Sequence, residues 1–176
     1  MKRLIQILDN IAEKTGRFIS WFSLLMVIFT FAVVVLRYGF DLGWIGLQES
    51  ISYWHSLVFM LGAAYTLKRD THVRVDIFYQ NFGRKGQAWV NLLGSLFLLF
   101  PVCLFIFWIS WEYVGDSWAV KEGSAETGGL PWLYLLKTLL LIMPVLLILQ
   151  GLAQALRAIL ILRGQFLTEE HDSLKI

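Results

Sequence analysis

Uncharged apolar runs alternate with short charged segments along the whole chain. Four runs contain no Asp, Glu, Lys or Arg, and they cover 18–36, 50–67, 86–111 and 138–156. Their lengths are 19, 18, 26 and 19 residues, and a helix needs roughly 17–25 apolar residues to cross a bilayer's hydrocarbon core. Backbone polar groups in lipid must be satisfied within the segment, so each run is predicted to be an α-helix.

This pattern predicts an all-α membrane protein with four transmembrane helices. Allowing for polar boundary residues, the spans are expected at about 18–36, 50–67, 88–111 and 134–156, within a single membrane domain over 1–176. The run at 18–36 is longer than the core of a signal peptide, and no small-residue cleavage site follows it. We therefore expect it to be retained as the first span.

The segment before the first span has an amphipathic pattern. Its apolar residues recur at helical spacing, and its charged residues occupy the other face: Leu4, Ile5, Leu8, Ile11 and Ala12 against Lys2, Asp9, Glu13 and Lys14. Such a pattern predicts a helix over about 3–16 that lies in the membrane interface. The alternative is a simple cytoplasmic extension of the first span.

Basic residues are distributed unequally between the connections. Four Lys or Arg precede the first span, five lie in the second connection and three follow the fourth span, against one in the first connection and two in the third. Because Lys and Arg accumulate on the cytoplasmic side, both termini, the middle loop and the tail 157–176 are predicted to be cytoplasmic. The third connection then faces outward with four acids, Glu112, Asp116, Glu122 and Glu126.

The residue inventory excludes most catalytic chemistry. Cys103 is the single cysteine, so neither a disulfide nor a Cys-based zinc site is expected. No nucleophile triad, phosphate-binding glycine loop or metal-spaced ligand set is evident. His55 is the only histidine within a span; it could ligate haem in a membrane redox subunit, but a hydrogen-bonded structural role is the simpler interpretation. We expect no enzyme activity, no cofactor, no metal and no nucleic-acid partner.

Two prolines lie near the middle of predicted spans. Pro101 and Pro144 each remove a helical hydrogen bond, so each is expected to kink its helix. Broken helices form substrate sites in some transporters. Neither proline has a neighbouring polar cluster, which favours a simple kink.

The span boundaries carry the most distinctive residues. The first connection is bounded by Arg37-Tyr38, Trp44 and Glu49, and the second span ends with Gly62-Ala63-Ala64 before His72-Val73-Arg74-Val75-Asp76. Taken alone, these are ordinary boundary charges and a solvated turn. An Arg, His and Asp group beside a membrane helix could also hydrogen-bond a partner's loop or cap a helix end.

Together these motifs resemble the small membrane subunit, of the DctQ type, of tripartite ATP-independent periplasmic (TRAP) transporters. The resemblance covers essentially the whole chain, and the stretch from His72 to Asp76 is its most specific part. One departure is Gln48, where many members carry an acid beside the following Glu. Glu49 would then act without a second carboxylate.

The resemblance implies a location and partners. The location is the bacterial or archaeal cytoplasmic (inner) membrane, and the partners are a large (M-type) membrane subunit and a periplasmic substrate-binding protein. It implies symport of a small organic acid driven by an ion gradient, usually sodium, which the large subunit uses. The candidate structural and partner-contact residues are Arg37, Tyr38, Trp44, Glu49, Gly62, Ala63, Ala64, His72, Arg74 and Asp76. The alternative function is a self-sufficient, homo-oligomeric small transporter or channel.

Overall fold

The computed structural model describes residues 1–72 and 79–165, and all regular structure in these residues is helical. Helix α1 covers Lys2–Gly39, α2 covers Ile45–Lys68, α3 covers Arg84–Gly94, α4 covers Phe100–Ala119 and α5 covers Leu133–Leu162. A π-helical turn, Ser95–Leu99, joins α3 to α4, and a short 3₁₀ turn, Tyr79–Asn81, precedes α3. The described part therefore contains four long helices, as the apolar runs predict.

Three of these helices are long and apolar enough to cross a membrane: Lys2–Gly39, Arg84–Ala119 and Leu133–Leu162. The fourth, α2, has 24 residues, which is about 36 Å at 1.5 Å per residue, but it contains no stretch as apolar as those of the other three helices. It runs antiparallel beside α1, as the ion pair between Glu13 near the start of α1 and Lys68 at the end of α2 shows. That α2 also crosses the membrane remains a prediction, which its position beside α1 supports.

The N-terminal segment is not a separate helix. Residues 3–16 continue without a break into the first apolar run, within one helix of 38 residues. Ile5 and Leu8 are buried in a core cluster with Ala153 and Leu160 of α5, while Leu4 and Ile11 are exposed. The structure does not support the interfacial placement, because part of the apolar face that it requires packs against α5.

Helix α5 is the central element of the bundle and contacts α1, α2, α3 and α4. Four of its eight buried residues are small: Gly151, Ala153, Ala155 and Ala158. Small side chains let neighbouring helices approach closely without a hydrophobic driving force in lipid. The two prolines differ in setting, since Pro101 is the second residue of α4, just after the π-helical turn, whereas Pro144 is buried inside α5.

Successive connections lie at opposite ends of the bundle. We call one the basic end; it contains the first four turns of α1, the end of α2 and the last two turns of α5. The other, the loop end, contains the start of α2 and the connection between α4 and α5. Hydrogen bonds from Lys68 to Glu13 and from Arg157 to Asp9 define the basic end. Which end faces the cytoplasm remains the prediction made from the loop charges.

Candidate functional site: polar links at the two ends of the bundle

At the loop end, Glu49 holds the connection between α4 and α5 against the start of α2. The hydroxyl of Ser124 donates to Glu49 Oε1, and the backbone N–H of Leu130 donates to Oε2 at 2.7 Å. These two hydrogen bonds, first that of Ser124 and then that of Leu130, lower the pKa of Glu49 below its ordinary value. The ionised carboxylate thus fastens the connection to α2.

Glycine makes this close approach possible. A Cβ at residue 129 would lie 2.5 Å from Ser124 Cβ and 2.8 Å from Glu49 Oε1, and Gly128 has a φ of +83°. A side chain at 129 would collide with the acceptor and donor groups, and L-residues rarely adopt the conformation at 128. The Gly128-Gly129 pair, which the sequence marks only as a turn, is required by the geometry around Glu49.

A second group of polar contacts joins α4 to α5 at the same end. Lys137 forms an ion pair with Glu122 and lies 4.1 Å from the centre of the Tyr113 ring. Lys137 holds the pKa of Glu122 below its ordinary value. Trp118 Nε1 donates to Thr138 Oγ1 at 2.8 Å. Glu122 is therefore engaged within the chain, whereas the other three acids expected to face outward, Glu112, Asp116 and Glu126, are exposed.

At the basic end, Glu13 joins α1 to α2. Its carboxylate accepts from Lys68 and Arg69 at 2.8 Å each and from Arg17 at 3.1 Å. The hydrogen bonds from Lys68 and Arg17, with a further contribution from Arg69, lower the pKa of Glu13 to about 2. Glu13 thus lies in a ring of cations from both helices and does not belong to a solvated face of α1.

The backbones of α1 and α2 approach closely beside this ion pair. A Cβ at Gly16 would lie 2.5 Å from Tyr65 Cδ2 and 2.6 Å from Tyr65 Cβ, so the Tyr65 ring occupies the space that a side chain would need. The Arg69 guanidinium lies 5.3 Å from the same ring. Gly16 and Tyr65 therefore set the distance between the two helices at the basic end.

A third link joins α1 to α5. Arg157 donates to Asp9 Oδ2 at 2.6 Å, and Gln150 Nε2 donates to Asp9 Oδ1 at 3.1 Å. Gln150 is 2% exposed, and its Oε1 has no partner in the described part of the chain. Asp9 thus binds both the buried amide of Gln150 and the guanidinium of Arg157, and so joins α1 to α5.

His72 folds back on the end of α2. Its Nε2 lies 3.1 Å from the carbonyl oxygen of Ala63 and 3.1 Å from Thr66 Oγ1. Only the last four carbonyls of a helix lack internal partners, and Ala63 precedes these four in α2, which ends at Lys68. The contact therefore holds His72 against the last turns of α2. The role of His72, in capping a helix end or in binding a partner's loop, stays a prediction, and Arg74 and Asp76 lie outside the described residues.

The other predicted contact residues differ in their surroundings. Arg37, Tyr38 and Trp44 are exposed at the loop end, Tyr38 by 82%. Ala64 is buried inside the bundle, whereas a Cβ at Gly62 would meet no atom within 4 Å. The structure brings Gly62, Ala63 and His72 to one region and Arg37, Trp44 and Glu49 to the opposite end. The functional roles of these residues remain predictions.

An apolar groove opens between α2, α5 and the α4–α5 connection. It has a volume of about 660 Å³, and its walls include Phe29, Trp54, Leu57, Trp132 and Leu139. None of the side chains that line it in the described structure carries a charge. An organic anion bound here would have no cationic side chain among these lining residues to pair with its charge, which is costly in a largely apolar groove.

Several linking residues are not among those singled out from the sequence. Asp9 and Glu13 are the only acids among the first 17 residues, which carry four cations, so their pairing could have been anticipated. Gln150 is similarly conspicuous as an amide within an apolar run. Ser124 and the N–H of Leu130 carry no sequence signal, because their role depends on how the connection folds.

The fold and the polar links together define a helical membrane protein whose charged groups join its own helices. Among residues 1–72 and 79–165, no group of three or more His, Cys, Asp or Glu side chains could hold a metal ion. A family model described as "Tripartite ATP-independent periplasmic transporters, DctQ component" matches residues 26–160. The chain therefore belongs to the DctQ family, the small membrane subunits of TRAP transporters. No curated protein and no solved structure gives a significant match to the chain.

Proposed function

We propose that this subunit is a static scaffold that supports a large membrane subunit during uptake of a small organic acid. In this proposal the large subunit moves the substrate with the energy of an ion gradient, usually sodium, and a periplasmic protein delivers the substrate. Family membership supports this division of labour in general terms. The complex would lie in the inner membrane with both termini of this chain cytoplasmic, in agreement with the loop charges.

The observation that carries the proposal is the position of the charged contacts. Glu13 with Lys68 and Asp9 with Arg157 lie at one end of the bundle, and Glu122 with Lys137 lies near the other. The apolar runs between the ends contain no Asp, Glu, Lys or Arg. Ion paths and proton relays generally need ionisable groups inside the membrane. The positions of the charged residues therefore fit a scaffold subunit better than a protein with its own solute pathway.

Co-purification tests the proposal. The tagged chain should retain the large membrane subunit encoded beside it after detergent extraction and size-exclusion chromatography. A complex between copies of this chain, with no large subunit bound under any extraction condition, would instead favour the homo-oligomeric transporter or channel. The same preparation tests for haem, because a Soret band that is lost in His55→Ala would support the redox alternative.

The middle loop can be tested in the same assay. We expect Arg74 and Asp76 to position this loop, so Arg74→Ala should lower the amount of assembled complex more than it changes substrate affinity. Normal assembly with an altered substrate preference would contradict this role.

A further inference from the structure

One face of α2 is exposed along most of the helix. Gln48, Ser52, His55, Phe59 and Gly62 follow one another at spacings of three or four residues, so they lie on one side of the helix. The first four are exposed, Phe59 by 71%, and Gly62 is half-buried. The stripe covers 14 residue steps, which is about 21 Å of helix. We call these five residues the α2 stripe.

The polar members of the α2 stripe are unusual because nothing in the described chain satisfies them. Within residues 1–72 and 79–165, the side chains of Gln48, Ser52 and His55 make no hydrogen bond. The ring of His55 stacks on that of Phe59, at a centroid distance of 6.2 Å. Its interpretation as a hydrogen-bonded structural histidine is thus not supported by the described part of the chain.

Within the apolar run 18–36, the exposed surface of α1, unlike the α2 stripe, has only hydrogen-bonded hydroxyls and large apolar side chains. Its exposed hydroxyls, Ser20 and Thr30, donate to the backbone carbonyls of Arg17 and Met26 in their own helix. The large exposed side chains beside them are apolar, such as Phe31 at 70%. Helix α4 likewise exposes Phe105 at 65%. These two faces suit a lipid environment, whereas the unpaired hydroxyl of Ser52 and imidazole of His55, which lie within the predicted second span, do not.

The far end of the α2 stripe has space for a second helix. A Cβ at Gly62 would meet no atom within 4 Å, although this residue lies in the middle of a helical stretch. Small residues and interhelical hydrogen bonds are the two features that mark helix contacts inside membranes. The α2 stripe combines both on one face, which points away from α1 and α5.

We propose that the α2 stripe is the surface on which a transmembrane helix of the large subunit packs, with polar groups that pair with Gln48, Ser52 and His55. This inference rests on the proposed scaffold function and gives that function a location. It also explains why α2 lacks a stretch as apolar as those of the other three long helices. A helix intended to face another protein need not be as apolar as one that faces lipid.

The sharpest test adds bulk at a position where this chain itself has room. Gly62→Leu should leave the isolated subunit folded but reduce its co-purification with the large subunit at least tenfold. Gly115→Leu is the matched control, because Gly115 is also helical and a Cβ added there would also meet no atom within 4 Å. It should leave co-purification unchanged. Equal loss in both variants, or no loss in Gly62→Leu, would overturn the proposal.

Polar contacts are tested by Ser52→Leu and His55→Leu. Each should weaken association about threefold, the usual effect of one interhelical hydrogen bond in a membrane (about 0.6 kcal/mol). Both changes make the face more apolar, so the isolated subunit should remain at least as stable in detergent. Unchanged association in the double variant would contradict the proposed hydrogen bonds.

Photo-crosslinking separates this proposal from the underlying function. Phe59, Phe31 and Phe105 are similarly exposed on α2, α1 and α4, and each can be replaced by benzoylphenylalanine in the intact complex. Position 59 should crosslink to the large subunit, and positions 31 and 105 to lipid. If the complex forms but the large subunit crosslinks to position 31 or 105 and not to 59, the α2 stripe is not the contact surface, and the scaffold function stands. A crosslinked dimer of this chain would assign the stripe to a second copy, and failure to form any complex would refute both.

Discussion

Replacing Gly16 by alanine perturbs the closest approach between α1 and α2. The added Cβ would lie 2.5 Å from Tyr65 Cδ2 and 2.6 Å from Tyr65 Cβ, and atoms this close must move apart. The Tyr65 Cβ belongs to the rigid part of α2, so rotation of the ring alone cannot relieve the clash. The two helices would have to separate beside the ion pairs of Glu13.

The magnitude follows from two opposing effects. Overpacking a well-packed interior typically costs about 1–3 kcal/mol, whereas exchanging glycine for alanine within a helix contributes about 0.8–1.0 kcal/mol of stability. Gly62→Ala should show only the gain from exchanging glycine for alanine in a helix, because its added Cβ would meet no atom within 4 Å. The free energies of unfolding of the two variants should therefore differ by about 1–3 kcal/mol.

Thermal unfolding in detergent, followed by tryptophan fluorescence, measures this difference. For a chain of this size, 1 kcal/mol corresponds to roughly 2–4 °C in Tm, so Gly16→Ala should unfold roughly 2–12 °C below Gly62→Ala. Both variants should be compared as isolated subunits, because Gly62 belongs to the proposed contact with the large subunit. Equal Tm values would refute the close packing of α1 against α2.

The polar links give three further predictions. Glu49→Ala should accelerate amide hydrogen exchange in the α4–α5 connection, because two hydrogen bonds to the carboxylate are lost, whereas Gln48→Ala should not. The lowered pKa of Glu13 means that its ion pairs contribute stability above pH 4.5, and that this contribution is lost as the pH falls toward 2; acid titration of Glu13→Gln should show a smaller loss over that range. Arg157→Leu should lower Tm more than Gln150→Leu, because it leaves a half-buried carboxylate without its counter-charge; a larger loss in Gln150→Leu would contradict this assignment.

The helical architecture can be predicted from sequence because it depends on local properties. Uncharged runs of sufficient length require helices in lipid, and the long helices of the structure contain all four runs. The N-terminal segment is harder to place, because an amphipathic pattern fits both a membrane interface and a neighbouring helix. Burial of Ile5 and Leu8 against α5 depends on tertiary packing that the periodicity of one segment does not encode.

The polar links show the same division between local and tertiary information. Glu49 stands out in the sequence by its position at a span boundary, but its partners, Ser124 and the N–H of Leu130, lie 75 and 81 residues away. Helical spacing places Glu13 on the polar face of its segment and gives no sign of its cations on α2, which are 55 and 56 residues distant. The α2 stripe emerges only when exposure and hydrogen bonding are compared among the helices.

The central claim is that this chain supports transport without carrying the solute itself, and reconstitution tests it most directly. Vesicles containing this chain alone should accumulate none of a panel of radiolabelled C4-dicarboxylates, 2-oxo acids and sialic acid under an inward sodium gradient. Addition of the large subunit and the periplasmic protein should produce uptake of at least one of these acids, and omission of this chain should abolish it. Accumulation by this chain alone, or full uptake in its absence, would contradict the account.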